Sequence, residues 1–392
     1  MGSYPAATAR KPWIETPLVE STALSLSANC RIFLKLELLQ PAGSFKSRGI
    51  GNLILEHIKH AAAENSAHKP LHFYSSSGGN AGLACVAAAR SLGYKASVVV
   101  PMSTKLSMIA KIKAAGATDV IQHGESWYYA DSYLRNHILE DVQTNGEEIG
   151  IYIPPFDDPR IWQGVSTMIP EIQSQLPDGE PPNAIILSVG GGGLFSGVIL
   201  GLDKAGWSHI PVLAMETHGA DSLNQSLNAG ELITLPAITS LAKSLGAIRV
   251  ADQAFEYARR RSVTSVVLED AEAVMGVCRL ADDERLLVEP ACGVCVAICY
   301  EDRLREVVKD LGPESRVVVV VCGGSDVTVE MVGKWREEFG ERFREIREHR
   351  KGLEGKGEGD RKRDIVVPSD ATLWGNLVNG KNEEVWEVDE GC

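Results

Sequence analysis

The chain has 392 residues, 44% of them hydrophobic, and a formal net charge of −13. That is enough apolar material for two domains or one large α/β unit, and it excludes a disordered chain. The acidic balance argues against a nucleic-acid surface, and no stretch reaches the roughly 20 apolar residues that a membrane-spanning helix needs.

The N-terminal segment MGSYPAATARKPW has neither an apolar signal core nor a basic amphipathic transit pattern, which suits a cytoplasmic chain. The eight cysteines lie mostly inside apolar runs, as expected of reduced, buried thiols rather than a disulfide framework. Cys292, Cys295 and Cys299 would share a helix face, but no histidine or second cluster completes a tetrahedral metal set, so they read as helix core.

Residues 31–37 form the first strong strand signal, and a turn through Gly43 then leads into Ser44-Phe45-Lys46-Ser47-Arg48-Gly49. A lysine beside a phenylalanine is usually solvated. Here the turn hands over to an apolar helix, and a desolvated lysine is a competent nucleophile and proton carrier. Phe45 is placed to pack flat against a planar ring. A strand at 72–75 is followed by Ser76, Ser77, Gly78 and Gly79, whose amides and hydroxyls suit a substrate carboxylate, and then by a helix from Asn80 to about residue 92. Asn80 is either an N-cap or an amide addressing a ring hydroxyl, and two consecutive glycines are unneeded for capping. A strand at 96–100 and a helix ending before Gly116 continue the alternation, and the series closes near Tyr152-Ile153-Pro154-Pro155-Phe156.

A second series starts after the polar loop 177–183 with a strand at 184–189. Gly190, Gly191, Gly192 and Gly193 with Leu194 follow, ahead of an apolar helix. Such a turn lets the backbone approach an anion. A nucleotide-binding turn competes, but the absence of a following Lys-Ser/Thr excludes a P-loop, and the glycine spacing is not that of a dinucleotide fingerprint. A strand at 212–216 comes next, and the most hydrophobic strand, 317–322, ends in Cys322-Gly323-Gly324-Ser325. Cys322 is either a core thiol or the neutral partner of a ring nitrogen. A lysine for an aldehyde, a glycine turn for its phosphate, and an amide and a thiol for a ring hydroxyl and nitrogen together describe a pyridoxal-phosphate enzyme.

The alternation predicts an α/β fold of two open, twisted, mainly parallel sheets flanked by helices, with the site in the cleft between them. Residues 37–158 read as a small domain inserted into a large one made of 1–36 and 159–340, and residues 341–392 as a helix to about Arg350 followed by a charged, flexible tail. Trp374, Leu377, Val378 and Trp386 leave a docking segment open within that tail.

These segments resemble the fold type II (tryptophan synthase β-like) pyridoxal-phosphate enzymes, and within them the L-serine dehydratase/L-threonine deaminase group. The similarity runs from about residue 16 to 333 and includes Gln40-Pro41-Ala42-Gly43, Pro154-Pro155-Phe156-Asp157-Asp158-Pro159, Ala214-Met215-Glu216-Thr217 and Leu287-Val288-Glu289-Pro290-Ala291-Cys292-Gly293. It implies Lys46 as the Schiff-base lysine, Phe45 and Ser244 on the two ring faces, Asn80 at the phenolic oxygen, residues 190–194 at the phosphate and Cys322 at the ring nitrogen. It also implies a monovalent cation, usually potassium, at Glu216, Ala220 and Ser222 with backbone oxygens near Gly190, Leu245 and Ala247. Gly78 stands where the more active animal enzymes carry alanine, and Ser244 where a small apolar residue is usual. The implied activity is β-elimination of L-serine to pyruvate and ammonia, and of L-threonine to 2-oxobutyrate and ammonia, by a homodimer whose partner is a small amino acid. The alternatives are a racemase or β-replacement lyase of the same fold type, and a pyridoxal-phosphate protein without turnover.

Overall fold

The computed structural model describes residues 10–63, 69–260, 263–301 and 303–353, together with residues 365–366. Its strands are β1 (Leu18–Glu20), β2 (Arg31–Lys35), β3 (Leu71–Ser75), β4 (Lys95–Val100), β5 (Val120–Gln122), β6 (Ile149–Tyr152), β7 (Ala184–Ser188), β8 (Val212–Thr217), β9 (Val263–Leu268), β10 (Arg316–Val320) and β11 (Ile365–Val366). They build a seven-stranded sheet in the order β1-β2-β10-β7-β8-β9-β11 and a four-stranded sheet in the order β5-β4-β3-β6. All pairings in the smaller sheet are parallel, and in the larger one only the edge strands β1 and β11 run antiparallel.

A parallel strand covered on both faces has no polar side, and it reads as a continuous β-branched run. β10 meets that description, with Val317, Val318, Val319 and Val320 fully buried. It lies between β2, where Val318 pairs with Phe33, and β7, where Val318 pairs with Ile185. Three neighbouring strands therefore deliver their following loops to one crevice, where open α/β sheets bind ligands. Those loops are 36–45 after β2, 321–325 after β10 and 189–192 after β7.

The smaller sheet packs Phe73, Val98 and Val100 against Ile50, Leu53 and Ile54 of the helix Lys46–Ala63 and Ala84 of the helix Asn80–Ser91. Its other face buries Tyr74 and Val99 with Ala130 and Leu134. The helix Pro159–Ser166 joins the two cores, placing Ile161 in the smaller one and Val165 in the larger. Each fully buried Ile, Leu or Val contributes about 1.5–3 kcal/mol.

A buried ionic network lies at this joint. Arg48, fully buried on the first turn of the helix Lys46–Ala63, donates to Glu37 through Nε and Nη2, both at 2.8 Å, and to Glu171 through Nη1 and Nη2, both at 2.6 Å. Lys35 Nζ reaches the same Glu171 at 2.8 Å and the Thr16 carbonyl at 2.6 Å. Burial opposes charge at Arg48, but the two carboxylates hold its guanidinium above the ordinary value. Burial likewise opposes charge at Glu171, yet Arg48 and Lys35 hold that carboxyl below the usual range.

The C-terminal helix spans Val329–Leu353, as expected of a helix to about Arg350. Ile365 and Val366 pair with Val266 and Ser265 of β9, adding an edge strand from the segment read as tail. Trp374, Leu377, Val378 and Trp386 lie outside the described residues. No described helix is long and apolar enough to cross a membrane.

Candidate active site

The lysine turn is stitched to the end of β10. Phe45 N–H donates to the Cys322 carbonyl at 3.1 Å, Gly324 N–H donates to the Gly43 carbonyl at 2.9 Å, and Ser44 and Gly323 form a bridge. Lys46 then opens its helix, with its Nζ donating to the Pro155 carbonyl at 2.7 Å. The same amine lies 5.1 Å from the Phe45 ring centroid and 6.0 Å from that of Phe156. Burial among these apolar groups brings it down to about 8, with Cys322 opposing the shift.

Residues 190–193 link β7 to the helix Gly193–Lys204. Gly192, the N-cap, has φ 93°, in the left-handed region that favours glycine. A Cβ on Gly191 would lie 2.4 Å from the Phe156 ring, and one on Gly190 would lie 3.0 Å from Leu245 Cα. The loop is thus pinched so closely that only backbone faces the space beyond it, at the start of a twelve-residue helix. Amides at a helix N-terminus without side chains in front of them fit a phosphate.

Asn80 is no cap, because Gly79 occupies that position. Its Nδ2 donates to Glu289 Oε1 at 3.0 Å and to Ser244 Oγ at 3.3 Å, while its Oδ1 accepts the Ser325 N–H at 2.9 Å. Ser244 in turn donates its hydroxyl to Glu289. The structure therefore brings Asn80 and Ser244 together through a buried acid that residue-type reasoning assigned no role. Its signal was a charged residue closing the apolar run Leu286-Leu287-Val288, directly before the helix-opening Pro290.

Of the residues read as carboxylate binders, Ser77 accepts the Gly79 N–H at 3.3 Å and Gly78 lies against Thr104, where a Cβ would meet Thr104 Oγ1 at 2.7 Å. Ser76 is fully buried and donates its hydroxyl to Asp131 at 2.6 Å, as Tyr152 does at 2.6 Å. With its hydroxyl committed to Asp131 and the residue fully buried, Ser76 braces the loop rather than presenting its hydroxyl to a ligand.

Cys322 follows β10 with its thiol 3.6 Å from Ser188 Oγ. Contact with the Cys292 thiol and burial push the Cys322 thiol well up, so it stays neutral. Cys292, Cys295 and Cys299 are all fully buried on or just after the helix Pro290–Ala297, as their helical spacing predicts. No group of three or more metal-ligating side chains occurs among the described residues.

The family model of pyridoxal-phosphate dependent enzymes matches residues 10–323, a span that takes in the lysine, the glycine loop, Asn80 and Cys322. The chain belongs to this family. It is 44% identical over 317 residues to a human serine dehydratase-like protein, covering 80% of this chain and 91% of that one. A Bos taurus L-serine dehydratase/L-threonine deaminase is 42% identical over 330 residues, covering 83% and 96%. Among solved structures, a fungal L-serine ammonia-lyase from Rhizomucor miehei superposes with a TM-score of 0.76 at 34% identity, covering 84% of this chain and all of that one.

The six residues expected around a cation divide between side chain and backbone. Glu216 is fully buried and accepts the Leu223 and Asn224 amides at 2.9 and 2.8 Å, at the start of the helix Ser222–Ala229. Burial raises its carboxyl to about 8 despite those amides. Ala220 N–H donates to the Thr217 carbonyl at 2.8 Å, and Ala247 N–H to the Leu245 carbonyl at 2.7 Å, which lies against Gly190.

The lowered Lys46 pKa has a direct consequence. A lysine attacks an aldehyde only as the free amine, so capture of pyridoxal phosphate by the apoprotein should rise with pH and reach half its maximum near 8. An ordinary lysine would place that midpoint at about 10.4. Rapid-mixing absorbance of apoprotein with the cofactor across pH measures it.

Proposed function

We propose that the chain is an ammonia-lyase that converts L-serine to pyruvate and ammonia, and L-threonine to 2-oxobutyrate and ammonia. The observation that carries this is the desolvated Lys46 amine, bonded to the Pro155 carbonyl and within 5.1 and 6.0 Å of the Phe45 and Phe156 ring centroids, with Phe156 itself packed against Gly191 of the glycine loop. Bound there, pyridoxal phosphate withdraws electrons from an attached amino acid and so acidifies its α-proton.

The chain's own residues do the rest. Lys46 first holds the cofactor and then, displaced by the substrate amine, takes the α-proton as a base. The amides of residues 190–194 hold the phosphate, Phe45 and Ser244 flank the ring, and the backbone around Ser76, Ser77, Gly78 and Gly79 receives the substrate carboxylate. Cys322, kept neutral by Cys292 and burial, would serve as the partner of the ring nitrogen without protonating it. A thiol in place of a carboxylate would leave that nitrogen unprotonated and the bound cofactor a weaker electron sink.

A potassium ion at Glu216, Ala220 and Ser222, with carbonyls near Gly190, Leu245 and Ala247, belongs to the same proposal. So do a cytoplasmic homodimer and the division into a small domain, 37–158, and a large one.

A coupled keto-acid assay over β-hydroxy and β-substituted L-amino acids, with chiral analysis of residual substrate, tests the reading. Pyruvate from L-serine without D-serine is the expected result. A yellow protein that releases no keto acid would overturn it. Exchanging potassium for lithium in that assay should lower activity or cofactor retention, since a small ion fits a carbonyl cage poorly. Equal activity in both salts would remove the cation.

A further inference from the structure

We propose that Glu289 is a positioning residue that fixes the Asn80 amide with an N–H toward the ring hydroxyl of the bound cofactor, and that Ser244 reinforces it. The inference rests on the functional reading above for the occupant of the cleft.

A carboxamide can turn over about its last bond and present either N–H or C=O, and only the N–H face can donate to a ring oxygen. In this chain the choice is made from two sides. Ser325 N–H donates to Asn80 Oδ1 at 2.9 Å, and Glu289 Oε1 accepts from Asn80 Nδ2 at 3.0 Å. Turning the amide over would set two donors against each other at Ser325 and two acceptors against each other at Glu289. With one N–H committed to Glu289, the second remains. It reaches Ser244 Oγ at 3.3 Å, the longest contact of the group and the one a ring oxygen can replace.

Glu289 is itself held in place. Asp326 N–H donates to its Oε1 at 2.8 Å and the Ser244 hydroxyl donates to its Oε2, so every neighbour named here gives a hydrogen bond to the carboxylate. The residue is only 5% exposed. Gly324 backs it closely: a Cβ there would sit 2.3 Å from Glu289 Cδ, and its φ of 121° already requires glycine. Ser244 adds a donor to Glu289 and an acceptor to Asn80. This chain therefore ties the two cofactor-facing residues to one carboxylate.

The test reads the cofactor spectrum, because the absorbance bands of bound pyridoxal phosphate report where the proton near its ring hydroxyl sits. Four purified variants are compared with wild type: Glu289→Ala, Glu289→Gln, Asn80→Ala and the Glu289→Ala/Asn80→Ala double. Glu289→Ala should change the band ratio and its pH dependence in the same direction as Asn80→Ala and weaken cofactor binding by about tenfold, the loss of one charge-assisted hydrogen bond. Glu289→Gln keeps a carbonyl oxygen opposite Asn80 and should restore the band ratio, with affinity within about threefold of wild type. The double variant should match Asn80→Ala alone, because Glu289 acts through Asn80. A wild-type band ratio in Glu289→Ala, or a double variant in which the two shifts add, would overturn the proposal. Should Glu289→Ala fail to fold, Glu289→Asp, whose carboxylate is one methylene shorter and draws back from Asn80 Nδ2, is carried through the same cycle with Asn80→Ala, and a wild-type band ratio or additive band shifts there overturn it equally. Wild-type protein that takes up no cofactor would instead fail the functional reading.

Discussion

Replacing Lys46 with alanine is expected to reduce keto-acid release by about a thousandfold or more, since a positioned acid–base group alone contributes on the order of 10²–10⁴ and the variant also loses its cofactor tether. Borohydride reduction of the wild-type holoenzyme should leave its mass label on the peptide holding Lys46, and a label elsewhere would sink the assignment. Loss of activity should not come with loss of fold. A lysine whose folded pKa lies below its unfolded value binds its proton more weakly when folded. The wild-type apoprotein should therefore be penalised below pH 8 and should gain stability as pH rises from about 8 towards the unfolded value of about 10.4. The alanine variant lacks this gain, and thermal melts of the two apoproteins across that window should separate accordingly.

Replacing Arg48 with methionine should lower unfolding stability by about 3–5 kcal/mol, because it strands buried carboxylates that had one shared partner. Glu37 is fully buried, and Glu171 would keep only Lys35 as a cationic neighbour. The sign with pH follows. In the wild type Arg48 and Lys35 hold the Glu171 carboxyl below its usual range, a contribution that is present above the unfolded value and lost as pH falls through the folded one, so the deficit of the variant should shrink at acid pH and grow towards neutrality. Denaturant titrations at two pH values measure both effects. Arg31→Met makes the control: its bridge to Glu20 is solvent-exposed on both sides, and its loss should cost no more than about 1 kcal/mol. Equal losses in the two variants would show that the buried network has no special role at the joint.

The parts of this molecule that were legible in its sequence are those in which residue type and local position suffice. β7, β8 and β10 announce themselves as short β-branched runs, and the lysine, the glycine loop and Cys322 follow strand ends in the chain itself. β9 is harder to read because Thr264 and Ser265 dilute its apolar run, and β1 and β5 are three residues each. Long-range pairing was not legible at all. Asn80 and Glu289 are 209 positions apart, Ser76 and Asp131 are 55 apart, and Arg48 and Glu171 are 123 apart. Asn80 and Ser76 were singled out by their own position, but Glu289, Asp131, Arg48 and Glu171 are ordinary polar residues until the fold brings their partners into reach. Cys322 shows the same limit from the other side: its place at a strand end was evident, whereas the Cys292 thiol that keeps it neutral came only with the fold.

The strand order also sets a timetable for the newborn chain. β2 is made early but pairs with β10, so Arg31 waits for Arg316 before the larger sheet can close across its middle. The lysine turn has the same dependence, because its anchors are the backbone of Val321, Cys322, Gly323 and Gly324. Contacts between such distant positions form late and slowly. Lys46 is therefore synthesised within the first eighth of the chain yet acquires its desolvated setting only after residue 324 has left the ribosome. A growing polypeptide would carry it as an ordinary charged lysine, almost wholly protonated and so a poor nucleophile towards aldehydes at neutral pH. Loading of the cofactor becomes a reward for completed folding, and chains that stall or are truncated before β10 stay unloaded.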